Sequence, residues 1–229
     1  MTAHHLPFVT GRSTAAASAP ARKVYAAALS VALVLFAFGL RLFHIDASGW
    51  WYDEMRTIEI VSSLAQYRDV HPPLYYYAIA AWSQVFGSSE FALRVFSVLA
   101  GTAITPLMYA IGSRFLQRRA AMAAALLSAL SPLLLWHSQD ARMYMLLCLL
   151  SLLLLYFYLR FLKDDTMTNR ILVIVFGILM LYTHIYGVLM LVALTIHIGL
   201  FERQRLSVWA VLLLIWAAAY MPYLFHLAS

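Results

Sequence analysis

The sequence predicts an all-α integral membrane protein, a single bundle of about seven spanning helices, and three observations carry that prediction. Of its 229 residues, 64% are hydrophobic and only 11% are charged, where a soluble domain carries roughly 25% charged residues. The apolar residues come in runs close to the about 17–25 that a helix needs to cross a bilayer. The Lys and Arg residues cluster between alternate runs, as they do in cytoplasmic loops. The formal charge of +6 therefore belongs to topological anchors, and no nucleic-acid partner is expected. The single cysteine, Cys148, lies in an apolar run and can form no intramolecular disulfide.

Residues 1–21 are small and polar and are expected to be a disordered cytoplasmic tail, with 22–229 forming one transmembrane core. Arg22 and Lys23 precede the first run, 24–43, which is too long for a signal-peptide core of about 7–15 residues. Further spans are predicted at 90–113, 120–137, 142–162 and 206–226. Two stretches are ambiguous by length: 73–86 is short for a span, and 171–201 is long for one and short for two. The basic clusters resolve both. Arg22/Lys23, Arg114/Arg118/Arg119, Arg160/Lys163/Arg170 and Arg203/Arg205 share one side only if 73–86 lies on the membrane and 171–201 crosses twice, turning near His184. That parity places the N-terminus inside and makes 44–89 the first outer loop, carrying interfacial juxtamembrane helices. It also puts Asp53, Glu54, Asp69, His71, His137, Asp140 and His184 near the outer face, with His44 and His226.

Each polar island has a structural and a chemical reading. In 53–67, Met55, Ile58, Val61 and Leu64 recur at helical spacing with Arg56, Glu59, Ser63 and Gln66 between them, the pattern of an amphipathic helix lying in the interface. Asp53 stands where an N-cap would stand, beside Trp50, Trp51 and Tyr52 as an aromatic belt. A cap does not require Glu54 next to it, however. His71-Pro72-Pro73 must be extended, because each residue before a proline is pushed out of the α region. It is a rigid turn, or a rigid mount for His71. Asp140 caps the next span, or it joins Arg142 in a headgroup site, with Arg142 for phosphate and Asp140 for a sugar hydroxyl or a metal. The halves of 171–201 reach only about 22 Å each, short of a hydrocarbon core of about 30 Å. A polar turn at that depth should line a cavity, which makes His184 a site candidate.

In this order the islands resemble a known family. Tyr52-Asp53-Glu54, His71-Pro72-Pro73-Leu74-Tyr75-Tyr76, Gly87-Ser88-Ser89-Glu90-Phe91-Ala92-Leu93-Arg94, Ser138-Gln139-Asp140-Ala141-Arg142 and Tyr182-Thr183-His184 are similar to the motifs of membrane glycosyltransferases that use polyprenyl-phosphate sugars. The fold is GT-C, and the nearest likeness is to the bacterial branch of the dolichyl-phosphate-mannose protein mannosyltransferases (glycosyltransferase family 39-like), over residues from about 24 onward. The resemblance implies a GT-C-type bundle in a bacterial plasma membrane, with its active site on the periplasmic or extracellular face. It also implies an inverting transferase that takes its sugar from a polyprenyl-phosphate donor, with a protein, lipid or glycan as acceptor. Asp53 becomes the catalytic base, and Glu54, His71, Asp140, Arg142 and His184 become donor- or acceptor-binding residues. Adjacent Asp53 and Glu54 repel unless a cation is shared, and a divalent metal or an arginine would relieve that repulsion. Their oxygens would suit Mg²⁺ or Mn²⁺, so Asp53 and Glu54 are the candidate metal ligands. Family members usually continue with further helices where this chain stops, at Ser229, which leaves a minimal enzyme, half of a split one or a truncated product as readings. The rival from another class is a non-catalytic lipid-handling subunit or a carrier-lipid translocase.

Overall fold

The structure, a computed structural model, describes residues 19–47, 49–64 and 71–228. Residues 1–18 of the tail expected at 1–21, the end of the expected interfacial helix and Asp69 lie outside the described residues, while 19–21, expected to be disordered, already belong to the first helix. Within them the chain is helical, with no strand. In order, the helices are α1 (Ala19–Leu42), α2 (Tyr52–Ser62), α3 (Leu74–Phe86), α4 (Glu90–Gly112), α5 (Arg118–Leu130), α6 (Pro132–Ser138), α7 (Tyr144–Lys163), α8 (Met167–Leu181), α9 (Gly187–Phe201) and α10 (Leu206–Ala228).

Local chemistry sets the boundaries. Ser89 caps α4, its hydroxyl accepting from the Ala92 amide, and Thr166 caps α8 through the Asn169 amide. Gly87 ends α3 at φ 86°, a conformation that only glycine adopts without strain. Three helices are long and apolar enough to cross a membrane alone: α4, α7 and the segment Arg203–Ala228 containing α10. Met167–Leu181 and Gly187–Phe201 are shorter apolar helices, as is Ala27–Leu42 within α1. The expected pair of helices in 171–201 is present, joined at residues 182–186 around His184.

The span predicted at 120–137 is broken in the middle. It is two helices, α5 and α6, bent by 51°. The cause is readable in Ser131-Pro132: the proline holds Ser131 in an extended conformation, φ −61° and ψ 119°. The Ser131 hydroxyl then caps α6 at the Leu134 amide. Predicted and observed boundaries also differ in α2, which begins at Tyr52 with Trp51 as its N-cap. Asp53 sits in the first turn and is not the cap.

Helix α4 is the hub, packing on α1, α5, α6 and α7. A second layer of α8, α9 and α10 builds on α7. Large apolar side chains such as Leu35, Leu189 and Leu214 remain exposed around the perimeter, as a lipid-facing surface requires. Basic residues gather at one end, where Arg114 lies over the Tyr156 ring and Arg205 bonds the Leu162 carbonyl and pairs with Asp165. The polar islands gather at the other.

The contact of α8 with α10 depends on one missing side chain. A Cβ at Gly177 would lie 2.3 Å from Nε1 of the buried Trp216, whose indole N–H donates to the Ile174 carbonyl at 3.0 Å. Gly177→Ala is expected to displace that ring and cost about 1–3 kcal/mol. A thermal melt in lipid nanodiscs reads this directly, and an unchanged midpoint would show that α8 and α10 do not meet there.

Candidate active site

The site is built on one buried ion pair. Glu54 is the third residue of α2, and its Oε2 accepts from the Trp51 amide at 3.0 Å, the acidic half of a capping box. The same carboxylate takes Arg94 of α4 in a two-pronged contact, Nε to Oε1 at 2.9 Å and Nη2 to Oε2 at 2.7 Å. Oε1 also accepts from the Ala141 amide at 2.7 Å. Arg94 spends its other donors on the Ile45 and Gly49 carbonyls, at 2.5 and 2.6 Å, and pairs with Glu90. Both side chains of the pair are about 1% exposed. Burial pushes the Glu54 carboxyl up, but the Arg94 contact and the Ala141 and Trp51 amides outweigh it and hold it below its ordinary value. The pair thus ties four segments together: the exit of α1, the start of α2, the start of α4 and the 139–143 turn.

Arg41 closes the same turn from the other side. Fully buried in the last turn of α1, it donates to the Ala37 and Ser128 carbonyls and to the Ser138 hydroxyl. Gln139 returns two bonds, to the Arg41 and Phe43 carbonyls. Gly101 of α4 makes room, since a Cβ there would meet Ser138 Oγ at 2.2 Å.

Between these braces opens a cavity of about 180 Å³, lined by Asp53, Glu54, Asp140, Arg142, His137 and Tyr144, with Trp51 and Trp136 as aromatic walls. Asp53 and Asp140 therefore face one cavity. Asp53 is exposed, and among the described residues its carboxylate has no hydrogen-bond or ion-pair partner. Arg142 is 5% exposed. Its Nη1 donates to the Asp53 carbonyl at 3.1 Å, while its buried Nε has no acceptor among the described residues. Asp140 lies 3.4 Å from His137 Nδ1. Burial, then the Glu54 charge, push the Asp140 carboxyl above its ordinary value against the pull of His137.

His71 and His184 stand beside this cavity and do not line it. Their rings are 5.4 Å apart, and Tyr144 links them to it, 6.2 Å from His184 and 4.8 Å from His137. The turn carrying His184 is held by Leu74, whose amide donates to the Tyr182 carbonyl at 2.9 Å. Nδ1 of His184 accepts from the Tyr186 amide, which leaves Nε2 to carry the ring proton in the neutral form. Burial, followed by repulsion from His71 and Arg142, holds the His184 pKa below its usual value. A histidine lowered in this way stabilises the fold fully above the unfolded value of about 6.5 and loses that contribution as pH falls through the window below it. The thermal midpoint is therefore expected to drop between pH 7 and pH 5, and less steeply in His184→Gln. Equal slopes in the two proteins would show that His184 is not buried neutral.

The arrangement decides several sequence readings. The cation expected to relieve the Asp53-Glu54 pair is Arg94, and Glu54 keeps no open acceptor site: its two oxygens offer about four, and four contacts fill them. Nor does any group of three or more His, Cys, Asp or Glu gather as a metal nest among the described residues. As arranged, Glu54 does not fit the role of metal ligand. Arg94, Arg41, Trp136, His137 and Tyr144 were not among the sequence-derived candidates. Arg94 was legible as the lone charge inside the run 91–113, whereas the others needed the folded turn.

Among curated proteins and among solved structures, none matches the chain. Residues 70–226 match the dolichyl-phosphate-mannose-protein mannosyltransferase family, a stretch that starts after Asp53 and Glu54 and covers His71, Asp140, Arg142 and His184. The all-helical structure, with helices long and apolar enough to cross a membrane, is consistent with that match, and the chain belongs to the dolichyl-phosphate-mannose-protein mannosyltransferase family of membrane glycosyltransferases with the GT-C fold.

Proposed function

We propose that the chain transfers a sugar from a polyprenyl-phosphate donor to an acceptor hydroxyl on the outer face of the membrane, with inversion at the anomeric carbon. One observation carries the reading. The exposed carboxylate of Asp53, with no hydrogen-bond partner among the described residues, and the buried guanidinium of Arg142, whose Nε has no acceptor among them, line the same small cavity. Asp53 takes the proton of the acceptor hydroxyl as its oxygen bonds to the anomeric carbon. The bond from that carbon to the phosphate oxygen breaks, and the electron pair leaves on the polyprenyl phosphate, where Arg142 meets the charge. Asp140, steadied by His137, accepts hydrogen bonds from sugar hydroxyls. His71 and His184 form the flank toward the acceptor. Glu54 works from beneath, holding Ala141 directly through its amide and α4 through Arg94.

A volume near 180 Å³ suits one sugar-phosphate head and leaves the polyprenyl chain outside. In this reading Arg142 supplies the positive charge at the leaving phosphate, and Glu54, with its lone pairs taken, is not called on to hold a divalent cation. The test is transfer by the purified protein in nanodiscs from a panel of polyprenyl-phosphate hexoses and pentoses to peptide, lipid and glycan acceptors. Transfer is expected to survive EDTA. Loss on chelation with recovery on Mg²⁺ or Mn²⁺ would return the metal to the mechanism. Donor binding without transfer to any acceptor would favour the lipid-handling subunit instead.

A further inference from the structure

At the basic end of the bundle, most of the positive charge is not used by the fold. The described acids there are Asp164, Asp165 and Glu202. Asp165 is held by Arg170 and Arg205, and Glu202 by Arg205. Arg114, Arg118, Arg119, Arg160, Lys163 and Arg203 form no ion pair among the described residues, and Asp164 is the acid left to set against them. Residues 1–45 contain no Asp or Glu, so the undescribed residues 1–18 bring no side-chain carboxylate to this end. The undescribed acid Asp69 falls between α2 and α3, at the opposite end.

Two of these cations are placed by rings. The Arg114 guanidinium, in the link after α4, lies 4.5 Å from the centroid of Tyr156, and that of Arg160 lies 5.9 Å from Phe157. The two rings belong to α7 and meet edge to face at 5.2 Å. Phe157 is fixed in turn by stacking on Phe176 of α8, with the ring planes 3° apart. A ring contact spends none of a guanidinium's N–H donors. Both arginines are exposed, and neither side chain has a hydrogen bond among the described residues. The result is a pair of positioned forks with open donors on the side of a helix long and apolar enough to span.

The neighbours select the partner. Phe115 and Leu116, next to Arg114 in the same link, are 67% and 49% exposed. Apolar side chains beside cations suit the boundary between headgroups and acyl chains, whereas a free phosphate or a nucleic acid would leave them in water. A guanidinium fork meets a phosphate through two parallel bonds. A zwitterionic headgroup brings its own cation into a region already in positive excess, and an anionic one brings net charge of the opposite sign.

We propose that Arg114 and Arg160 form a binding site for the phosphate of an anionic phospholipid, of the phosphatidylglycerol kind, in the leaflet at the basic end of the bundle. The site lies at the opposite end from the Asp53 cavity and does not depend on sugar transfer. It is tested by direct binding to the full chain. Palmitoyl-oleoyl phosphatidylglycerol is titrated into phosphatidylcholine nanodiscs, and the lipid retained on the chain is counted by native mass spectrometry. Saturable retention of phosphatidylglycerol over phosphatidylcholine is expected, weaker at high salt. The double variant Arg114→Gln/Arg160→Gln should weaken it about 30-fold, for the loss of two basic residues near a charged surface. Its thermal midpoint in pure phosphatidylcholine should match the wild type, since both positions are exposed. Tyr156→Leu keeps every charge but removes the ring under Arg114, and should weaken retention several-fold. Arg203→Gln removes an equal charge from outside the site and should leave retention unchanged. Should the double variant melt early, these two single variants still decide. Wild-type retention in the double variant, indifference to Tyr156→Leu, an equal loss in Arg203→Gln, or displacement of the lipid by inorganic phosphate would each overturn the assignment, the last by giving the site to a soluble anion.

Discussion

Asp53→Asn is expected to lower sugar transfer by about 10²–10⁴-fold, the usual contribution of a positioned general base, while donor binding stays within about twofold. The asymmetry follows from what the carboxylate touches. Among the described residues it holds no structural bond, and the Asp53 contacts that matter to the fold are those of its backbone carbonyl, to Arg142 and Thr57. Asparagine keeps that carbonyl and nearly the same volume, yet it cannot take a proton. The thermal midpoint should therefore stay with the wild type while turnover falls. Measured on single-turnover transfer and on donor binding in parallel, the result separates a base from a binding group: loss of both together would place Asp53 among the donor ligands, and full activity would remove it from the mechanism. Arg142→Lys should show the complementary pattern, losing donor affinity, because a lysine offers a point charge where the phosphate meets a fork.

The second large effect is on folding. Arg94→Met leaves Glu54 as an uncompensated buried charge, a change worth about 3–5 kcal/mol, and Glu54→Gln breaks the same buried pair while Glu90 still faces Arg94. For Glu54→Gln the loss also includes strong acceptors for the Trp51 and Ala141 amides. Since these bonds link four segments, the 139–143 turn should loosen with α2, and activity should fall along with stability. The double variant should be less destabilised than the sum of the singles. The pH dependence has a definite sign. A carboxyl whose folded pKa is depressed contributes stability above its unfolded value of about 4.3 and loses it as pH falls through the folded value. Wild type should therefore melt more easily below that range, and Glu54→Gln should lack that part of the slope. A wild-type-like midpoint in either single variant would mean that the pair is not buried.

The class of the molecule was legible because a bilayer leaves few options. Long apolar runs can only be helices there, and Lys and Arg counts order them. The helical spacing in 53–67, the short run at 73–86 and the break near His184 appear as α2, α3 and the 182–186 turn. The bend at Ser131-Pro132 has a local signal that hydropathy does not carry, because averaging passes over a proline that the backbone cannot ignore. The Arg41 contacts had no comparable signal. A cation near the end of an apolar run reads as a snorkelling anchor, and only the close approach at Gly101 shows it turned inward.

For the candidate site, the residue types were readable and their roles were not. Two adjacent carboxylates, Asp53 and Glu54, are indistinguishable in sequence, yet helical geometry points them about 100° apart. One faces the cavity without a partner, and the other is buried against Arg94, 40 positions away. The sequence by itself determined a helical membrane bundle, the order of its helices and the gathering of acids, histidines and one arginine into the links at one end, because solvation in lipid acts locally on every residue. The tertiary structure alone decided that Asp53 and Asp140 share a cavity, that Glu54 is a brace, and that His71 and His184 stand beside it. Those outcomes depend on which side chains meet across long separations, and a buried charge takes its role from the partner it finds.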